Sequence, residues 1–150
     1  MKPIAALLLF SALTWAASSG VDIYTTKDIQ NLSHKLASKG TAFASEDLAQ
    51  YGNHRTMIAY REATGSAELH EHDSDIFVVE NGEATIVTGG KIVHPTTQKP
   101  GEIRGASING GERHTLSTGD IIHIPAGTPH QLLIEKGKPF TYFVVKVTGQ

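Results

Sequence analysis

Apolar and polar residues alternate along most of the chain after residue 40, with the period of two that is typical of β-strands. Turn residues separate the alternating segments, and the pair Asn81-Gly82 is a strong signal for a tight β-hairpin. Short strands at this spacing predict an all-β, antiparallel sandwich or barrel. The predicted strands are residues 54–62, 67–72, 76–79, 84–88, 120–125, 130–135 and 141–147.

One stretch, residues 25–39, has helical periodicity instead. Ile29, Leu32 and Leu36 recur at three- and four-residue steps and form a narrow apolar stripe. Thr25 is predicted to cap the helix, with Asp28 in the first turn, where the helix dipole favours a negative charge. We therefore expect one N-terminal amphipathic helix that lies on the outside of the β-structure.

Other parts of the chain are less regular. The pattern of residues 41–48 fits either an edge strand or a loop, and residues 94–101 are predicted to form a loop. Residues 103–108 and 112–116 are expected to pair with each other across the turn at Asn109-Gly110-Gly111.

The first 19 residues differ from the rest in composition. Lys2 precedes an apolar run over residues 4–17, and small residues follow, which is the order of a secretory signal peptide. The run is too short for a spanning helix, although an uncleaved membrane anchor is the alternative. We predict a signal peptide at 1–19, an N-terminal extension with the helix at 20–53, and a β-barrel at 54–150. The protein is thus expected to be exported, periplasmic or secreted, with no membrane attachment in its mature form.

Charge and cysteine content exclude several classes of function. Without Lys2, 12 basic residues remain against 15 acidic ones, a net charge of −3, which predicts no nucleic-acid partner. The sequence contains no cysteine, so packing, or packing together with a metal, must hold an exported domain together.

The pair His70 and His72 is the first candidate for metal chemistry. Residues two apart on a strand share a face, so both imidazoles are expected to point into the barrel. Converging imidazoles suit Fe, Mn, Ni, Cu or Zn. By itself the pair is weak, because about 0.4 such pairs are expected by chance in a chain of this composition.

A second pattern, Gly-x5-Pro-x-Gly-x2-His, occurs at Gly119, Pro125, Gly127 and His130. Its chance expectation is about a hundredfold lower than that of the histidine pair. Pro125 and Gly127 predict a tight reversal of the chain, which would aim His130 back across the sheet. We expect His130 to meet the upstream pair and complete a metal site.

Together the two patterns resemble the two motifs of the cupin superfamily, and the similarity runs from about Arg55 to Val147. The resemblance implies a jelly-roll β-barrel, a homodimer, and a divalent transition metal held by three histidines and usually a glutamate. The first motif is matched by Gly65, His70, His72, Asp75 and Gly82, and the second by Gly119, Pro125, Gly127 and His130. The implied metal ligands are His70, His72, Asp75 and His130.

The chain departs from the family pattern at the fourth ligand. Asp75 stands where a glutamate is usual, and only two residues separate it from the second histidine. Glu68 lies on the same predicted strand face as His70 and is the fallback ligand. Arg61 and Arg104 are expected to be solvated edge charges or, alternatively, to bind an anionic substrate inside the barrel.

Two functional hypotheses follow from the sequence. One is an exported metal-dependent dioxygenase or isomerase that acts on a small organic substrate at open coordination positions. The other is a non-catalytic barrel that binds a small ligand or is structural, with the metal structural or absent. In both, the expected partner is a small molecule and the expected cofactor is a divalent transition metal of unknown identity.

Overall fold

The computed structural model describes residues 20–149, and the predicted signal peptide lies outside them. Its helix, α1, spans Thr26–Ala37. Thr25 caps it, because the Thr25 hydroxyl accepts a hydrogen bond from the Asp28 backbone amide, and the Asp28 carboxylate accepts one from the Thr25 amide. The predicted helix and its cap are confirmed. Within the described residues, no helix is long and apolar enough to cross a membrane.

Thirteen strands follow α1 in the described part of the chain. Seven of them correspond to the seven strands predicted from the alternating pattern. The strands are β1 (Phe43–Gln50), β2 (His54–Arg61), β3 (Ala67–His70), β4 (Asp73–Asn81), β5 (Glu83–Thr88), β6 (Lys91–Val93), β7 (Thr96–Lys99), β8 (Glu102–Gly105), β9 (Ser107–Asn109), β10 (Glu112–Ser117), β11 (Ile121–Ile124), β12 (His130–Leu133) and β13 (Phe140–Thr148).

These strands form two main antiparallel sheets. One has the order β1-β2-β13-β4-β11, and the other has the order β10-β5-β12-β3-β8-β7. Strands β6 and β9 form a separate pair. Since β1 pairs with β2, the N-terminal extension contributes a strand to the first sheet as well as the helix. The predicted all-β, antiparallel barrel with one N-terminal helix is confirmed for the described residues.

The hydrophobic core lies between the two sheets. Phe77 and Tyr142 from the five-stranded sheet belong to the same buried cluster as Ile86 and Leu132 from the six-stranded sheet. The inward residues of β13 are Phe140, Tyr142, Val144 and Lys146, all of which are buried. Lys146 is the charged member of this inward-facing set, so the barrel interior is apolar near Phe140 and polar near Lys146.

The helix covers the outer face of the five-stranded sheet. Ile29 and Leu36 of α1 are buried in a second cluster with Ile58 and Tyr60 of β2. Strand β2 is therefore buried on both faces, with the alternate residues Ala59 and Arg61 facing the barrel interior. This two-sided burial agrees with the mixed pattern of residues 54–62.

Two local predictions about the region 94–116 are wrong. Strand β7 occupies part of the predicted loop, and β10 pairs with β5 instead of with residues 103–108. Strand β9, which contains Ile108, pairs with β6. Pairing with β5 places Leu116 in the main core beside Ala84 and Ile86, and a local hairpin would not bury it there.

The β4–β5 hairpin depends on the conformation of Gly82. Gly82 has φ +90°, and a Cβ there would lie 2.2 Å from the Pro139 carbonyl oxygen. Gly82→Ala is therefore expected to lower the free energy of unfolding by about 3 kcal/mol or more, since positive φ alone costs a non-glycine residue about 1–3 kcal/mol. Urea denaturation of both proteins measures the difference.

Gly119→Ala is the matched control for this prediction. Gly119 has φ +93°, but a Cβ added there would have no heavy atom within 4 Å, so its replacement tests the backbone strain without the clash. We expect a loss of about 1–2 kcal/mol. Equal losses at the two positions would contradict the proposed close contact with Pro139.

Candidate metal site

The structure brings together two of the three predicted histidines. His70 is the last residue of β3, His130 is the first residue of β12, and both are buried. Their ring centroids are 5.3 Å apart. The Gly127 amide donates a hydrogen bond to the His70 carbonyl oxygen at 2.7 Å, so the Pro125–Gly127 turn is attached to the end of β3. This turn aims His130 toward His70, as its residue pattern predicts.

His72 does not join this pair. Strand β3 ends at His70, and His72 lies in a bend before β4 with its side chain exposed. The expectation that both imidazoles project from one strand face is wrong, because the two-residue alternation holds only while the strand continues. The tight connection from β3 to β4 turns His72 outward, where its ring lies beside Gly101.

Asp75 lies beside the two buried histidines, although only two residues separate it from His72 in the sequence. It is 3% exposed, and its Oδ2 lies 3.3 Å from His70 Nε2 and 3.7 Å from His130 Nε2. Its Oδ1 lies 2.6 Å from the ammonium of Lys146. Burial by itself raises the pKa of Asp75, but His70 and Lys146 outweigh burial and lower the pKa from 3.8 to about 2. Asp75 is therefore ionised.

Glu68, the fallback ligand, faces the same point as the histidines. Its Oε2 lies 3.7 Å from His70 Nε2 and 4.0 Å from His130 Nε2. Among the described residues, Glu68, His70 and His130 form a group whose ligand atoms all lie within 4.8 Å of one another, a spacing suitable for one metal ion. The group is held by the register of β3 and β12, in which Glu68 is opposite His130.

Hydrogen bonds at the outer nitrogens orient both imidazoles. His70 Nδ1 donates to Glu102 Oε2 at 2.8 Å, and His130 Nδ1 donates to the Thr128 carbonyl oxygen at 3.0 Å. Because these partners only accept, Nδ1 carries the proton in the neutral form of each ring, and Nε2 is then the nitrogen available to a metal. Glu102 has no signal in the sequence, since it meets His70 only through the pairing of β3 with β8.

The buried Nε2 atom of His130 indicates whether the residues of this group could bind a metal ion. Among the described residues it has no hydrogen-bond partner. Burial lowers the pKa of His130, more than the nearby carboxylates raise it, so the ring is neutral and its lone pair is free. Two imidazole nitrogens beside carboxylate oxygens form a donor set that suits Fe, Mn, Ni, Cu or Zn. The donor set therefore fits a divalent transition metal.

Cations that are buried or partly buried lie next to the histidine group. Arg61 is 8% exposed, which overturns the expectation of a solvated edge charge at this position. Its Nε donates to the Tyr142 hydroxyl at 3.0 Å, and its Nη2 donates to Glu68 Oε1 at 3.3 Å. Arg104 Nη1 lies 3.0 Å from Glu68 Oε2. Lys146 was not predicted as a site residue. Its signal in the sequence is a charged residue at a position of β13 where the alternating pattern places a buried side chain.

A cavity of about 530 Å³ opens beside this group, and Glu68, His70 and Asp75 line it. The volume is in the range of small-molecule sites. Its walls combine charged side chains with apolar ones. The lining residues include Phe43, Asp47, Arg55, Met57, Arg61, Glu68, His70, Asp75, Phe77, Arg104, Tyr142, Val144 and Lys146.

Comparison with known proteins agrees with this architecture. Residues 101–146 match a family model described as the Cupin domain. A search of curated proteins found no match. The resemblance to the cupin superfamily predicted from the two motifs is thereby supported by an independent sequence comparison.

Solved structures share the fold at low sequence identity. The Schizosaccharomyces pombe Cnp3 cupin domain has a TM-score of 0.55 and 7% identity, with 72% of this chain and 66% of that chain covered. KdgF from Halomonas sp. has a TM-score of 0.54 and 15% identity, covering 73% and 81%. The DMSP lyase DddQ from Ruegeria pomeroyi DSS-3 has a TM-score of 0.52 and 19% identity, covering 74% and 49%. The predicted cupin resemblance is confirmed at the level of the fold.

Proposed function

We propose that this chain, which has the cupin fold, binds one divalent transition metal in its barrel and acts on a small organic molecule in the adjoining cavity. Glu68, His70 and His130 would hold the metal, with Asp75 beside them as the fourth donor. The observation that carries the proposal is the buried, neutral Nε2 of His130, which faces His70 Nε2 and the Asp75 carboxylate without a hydrogen-bond partner among the described residues.

A metal bound there would supply Lewis-acid or redox chemistry. The chain's own residues would bind this metal and orient its ligands. Glu102 and the Thr128 carbonyl fix the two imidazoles, while Arg61 donates to Glu68 Oε1 and leaves Oε2 facing the histidines. The Phe77 ring meets the His130 ring edge-on and gives one side of the group an apolar neighbour. One fold relative is named as a lyase, which favours an enzyme, and a dioxygenase or isomerase remains the proposed class.

A specific observation favours the non-catalytic alternative. The carboxylates of Glu68, Asp75 and Glu102 lie within 4.0 Å of Arg61, Arg104 and Lys146, so these acids are already paired with cations. Such a network stabilises the barrel interior without a metal. In that case the cavity would bind a small ligand and the metal would be structural or absent.

Metal analysis of the purified protein tests the proposal. We expect about one equivalent of a transition metal per chain, either as purified or after incubation with each of Fe, Mn, Ni, Cu and Zn. We also expect the unfolding temperature to rise with free metal, since a ligand present at 1,000 times its dissociation constant stabilises the folded state by about 4 kcal/mol. Absence of bound metal and of any thermal shift with all five ions would favour the alternative.

The proposal includes export. It is supported by the charged start, apolar run and small residues of segment 1–19, which lies outside the described residues. Mass spectrometry of the protein recovered from the periplasm or medium of an expressing bacterium should give a chain that begins near residue 20.

A further inference from the structure

One row of the five-stranded sheet places two cations side by side on the cavity wall. In the register of β13, Lys146 lies opposite Arg55 of β2 on one side and opposite Asp75 of β4 on the other. Arg55 and Lys146 both line the cavity. Like charges directly opposite each other across a sheet destabilise it, so this pair favours an additional negative partner.

The neighbouring acids satisfy only one of the two cations. Asp75 lies 2.6 Å from Lys146. Arg55 Nη1 lies 3.5 Å from Asp47 Oδ1, and the Asp47 side chain is 68% exposed. An exposed ion pair of this length contributes little, so the Arg55 guanidinium keeps most of its donors for a ligand.

The charges on the cavity wall point to the same cation. Four side-chain cations and three carboxylates line the cavity, and Glu102, outside this lining, lies 3.5 Å from Arg104. The lining cation with the weakest acid partner is therefore Arg55, and an anion would be favoured beside it. The cations are Arg55, Arg61, Arg104 and Lys146, and the carboxylates are Asp47, Glu68 and Asp75.

The next row of the same sheet is apolar. Val144 of β13 lies opposite Met57 of β2 and Phe77 of β4, and all three line the cavity. The wall therefore changes from a cationic row to an apolar row within two residues along the strand. Such a surface complements a molecule with one negative group and an apolar body.

We propose that the cavity binds a small organic carboxylate, with its carboxylate group at Arg55 and Lys146 and its apolar body against Met57, Phe77 and Val144. Arginine is suited to this task because its planar guanidinium binds a carboxylate through two parallel hydrogen bonds. Only one part of this inference rests on the proposed function, namely that the ligand is a substrate that lies beside the metal. The charge and shape of the ligand follow from the cavity wall alone.

Calorimetric titration with benzoate and with benzamide, its neutral isostere, tests the proposal. We expect benzoate to bind at least about tenfold more tightly than benzamide, because hydrogen bonds to charged groups are the stronger ones. Arg55→Gln should remove most of this preference. Because the Arg55 side chain is 35% exposed, its replacement leaves the fold intact. Lys138→Gln, which changes an exposed lysine paired with Glu135, is the control and should keep the preference.

Several outcomes would overturn the inference. Equal affinity for benzoate and benzamide would do so, as would a preference that survives both Arg55→Gln and Lys146→Gln. Sulfate binding as tightly as benzoate would contradict an organic carboxylate. Metal analysis of the same samples separates this inference from the proposed function. Selective benzoate binding by a protein that takes up no metal supports the carboxylate site and contradicts metal binding, whereas a metal-loaded protein without the preference contradicts the carboxylate site alone.

Discussion

His130→Ala is expected to abolish stoichiometric metal binding, whereas His72→Ala is expected to retain it. His130 is buried and presents a free Nε2 to the group, while His72 lies in an exposed bend outside it. Even residues that only orient a metal ligand contribute about 10–100-fold to metal affinity, so the loss of a direct ligand should weaken binding by more than about 100-fold. Competition against a metal-binding dye measures both dissociation constants.

The control for this comparison is His123→Ala, since His123 is exposed on β11 and away from the group. Circular dichroism of each variant checks that the barrel is folded. A His72→Ala protein that loses its metal while His123→Ala keeps it would show that the β3–β4 bend rearranges to bring His72 to the site. That result would restore the three-histidine set implied by the cupin motifs.

Lys146→Met is expected to lower the free energy of unfolding of metal-free protein by about 3 kcal/mol. The Lys146 ammonium and the Asp75 carboxylate are 2.6 Å apart and both nearly inaccessible to solvent. Removing one partner of a buried ion pair typically costs about 3–5 kcal/mol, because the remaining charge is left without compensation. His70 beside Asp75 offsets part of this cost, which places the expected loss at the lower end. Urea denaturation after treatment with a chelator provides the measurement.

The double variant Asp75→Asn, Lys146→Met should be more stable than Lys146→Met, since it removes the uncompensated charge. Lys138→Met, which breaks an exposed pair with Glu135, should change stability by no more than about 0.5 kcal/mol. If Lys146→Met matches this control, the ion pair contributes nothing to stability and the explanation is wrong.

The same pair gives the wild-type protein a predictable acid dependence. The pKa of Asp75 is lowered by His70 and Lys146, against the effect of burial, from 3.8 to about 2 in the folded state. A group whose pKa is lower when folded stabilises the protein above its unfolded pKa, and that stabilisation is lost as the pH falls toward the folded value. The contribution of Asp75 is thus full above about pH 4 and disappears near pH 2.

Local sequence determined the helix and the seven strands predicted from the alternating pattern. The capping pair Thr25 and Asp28, the hairpin at Asn81-Gly82, and the turn that carries His130 were predictable, because each depends on conformational preferences within a few residues. The alternating pattern identified an all-β fold for the same reason.

Tertiary structure decided which of the predicted side chains meet at the site and which further ones join them. Strand β3 ends at His70 because of how it joins β4, and that removed His72 from the group. The pairing of β3 with β8 supplied Glu102, and the pairing of β13 with β4 supplied the Lys146 partner of Asp75. These contacts join residues distant in the chain, and their energies depend on burial and register that no local pattern specifies.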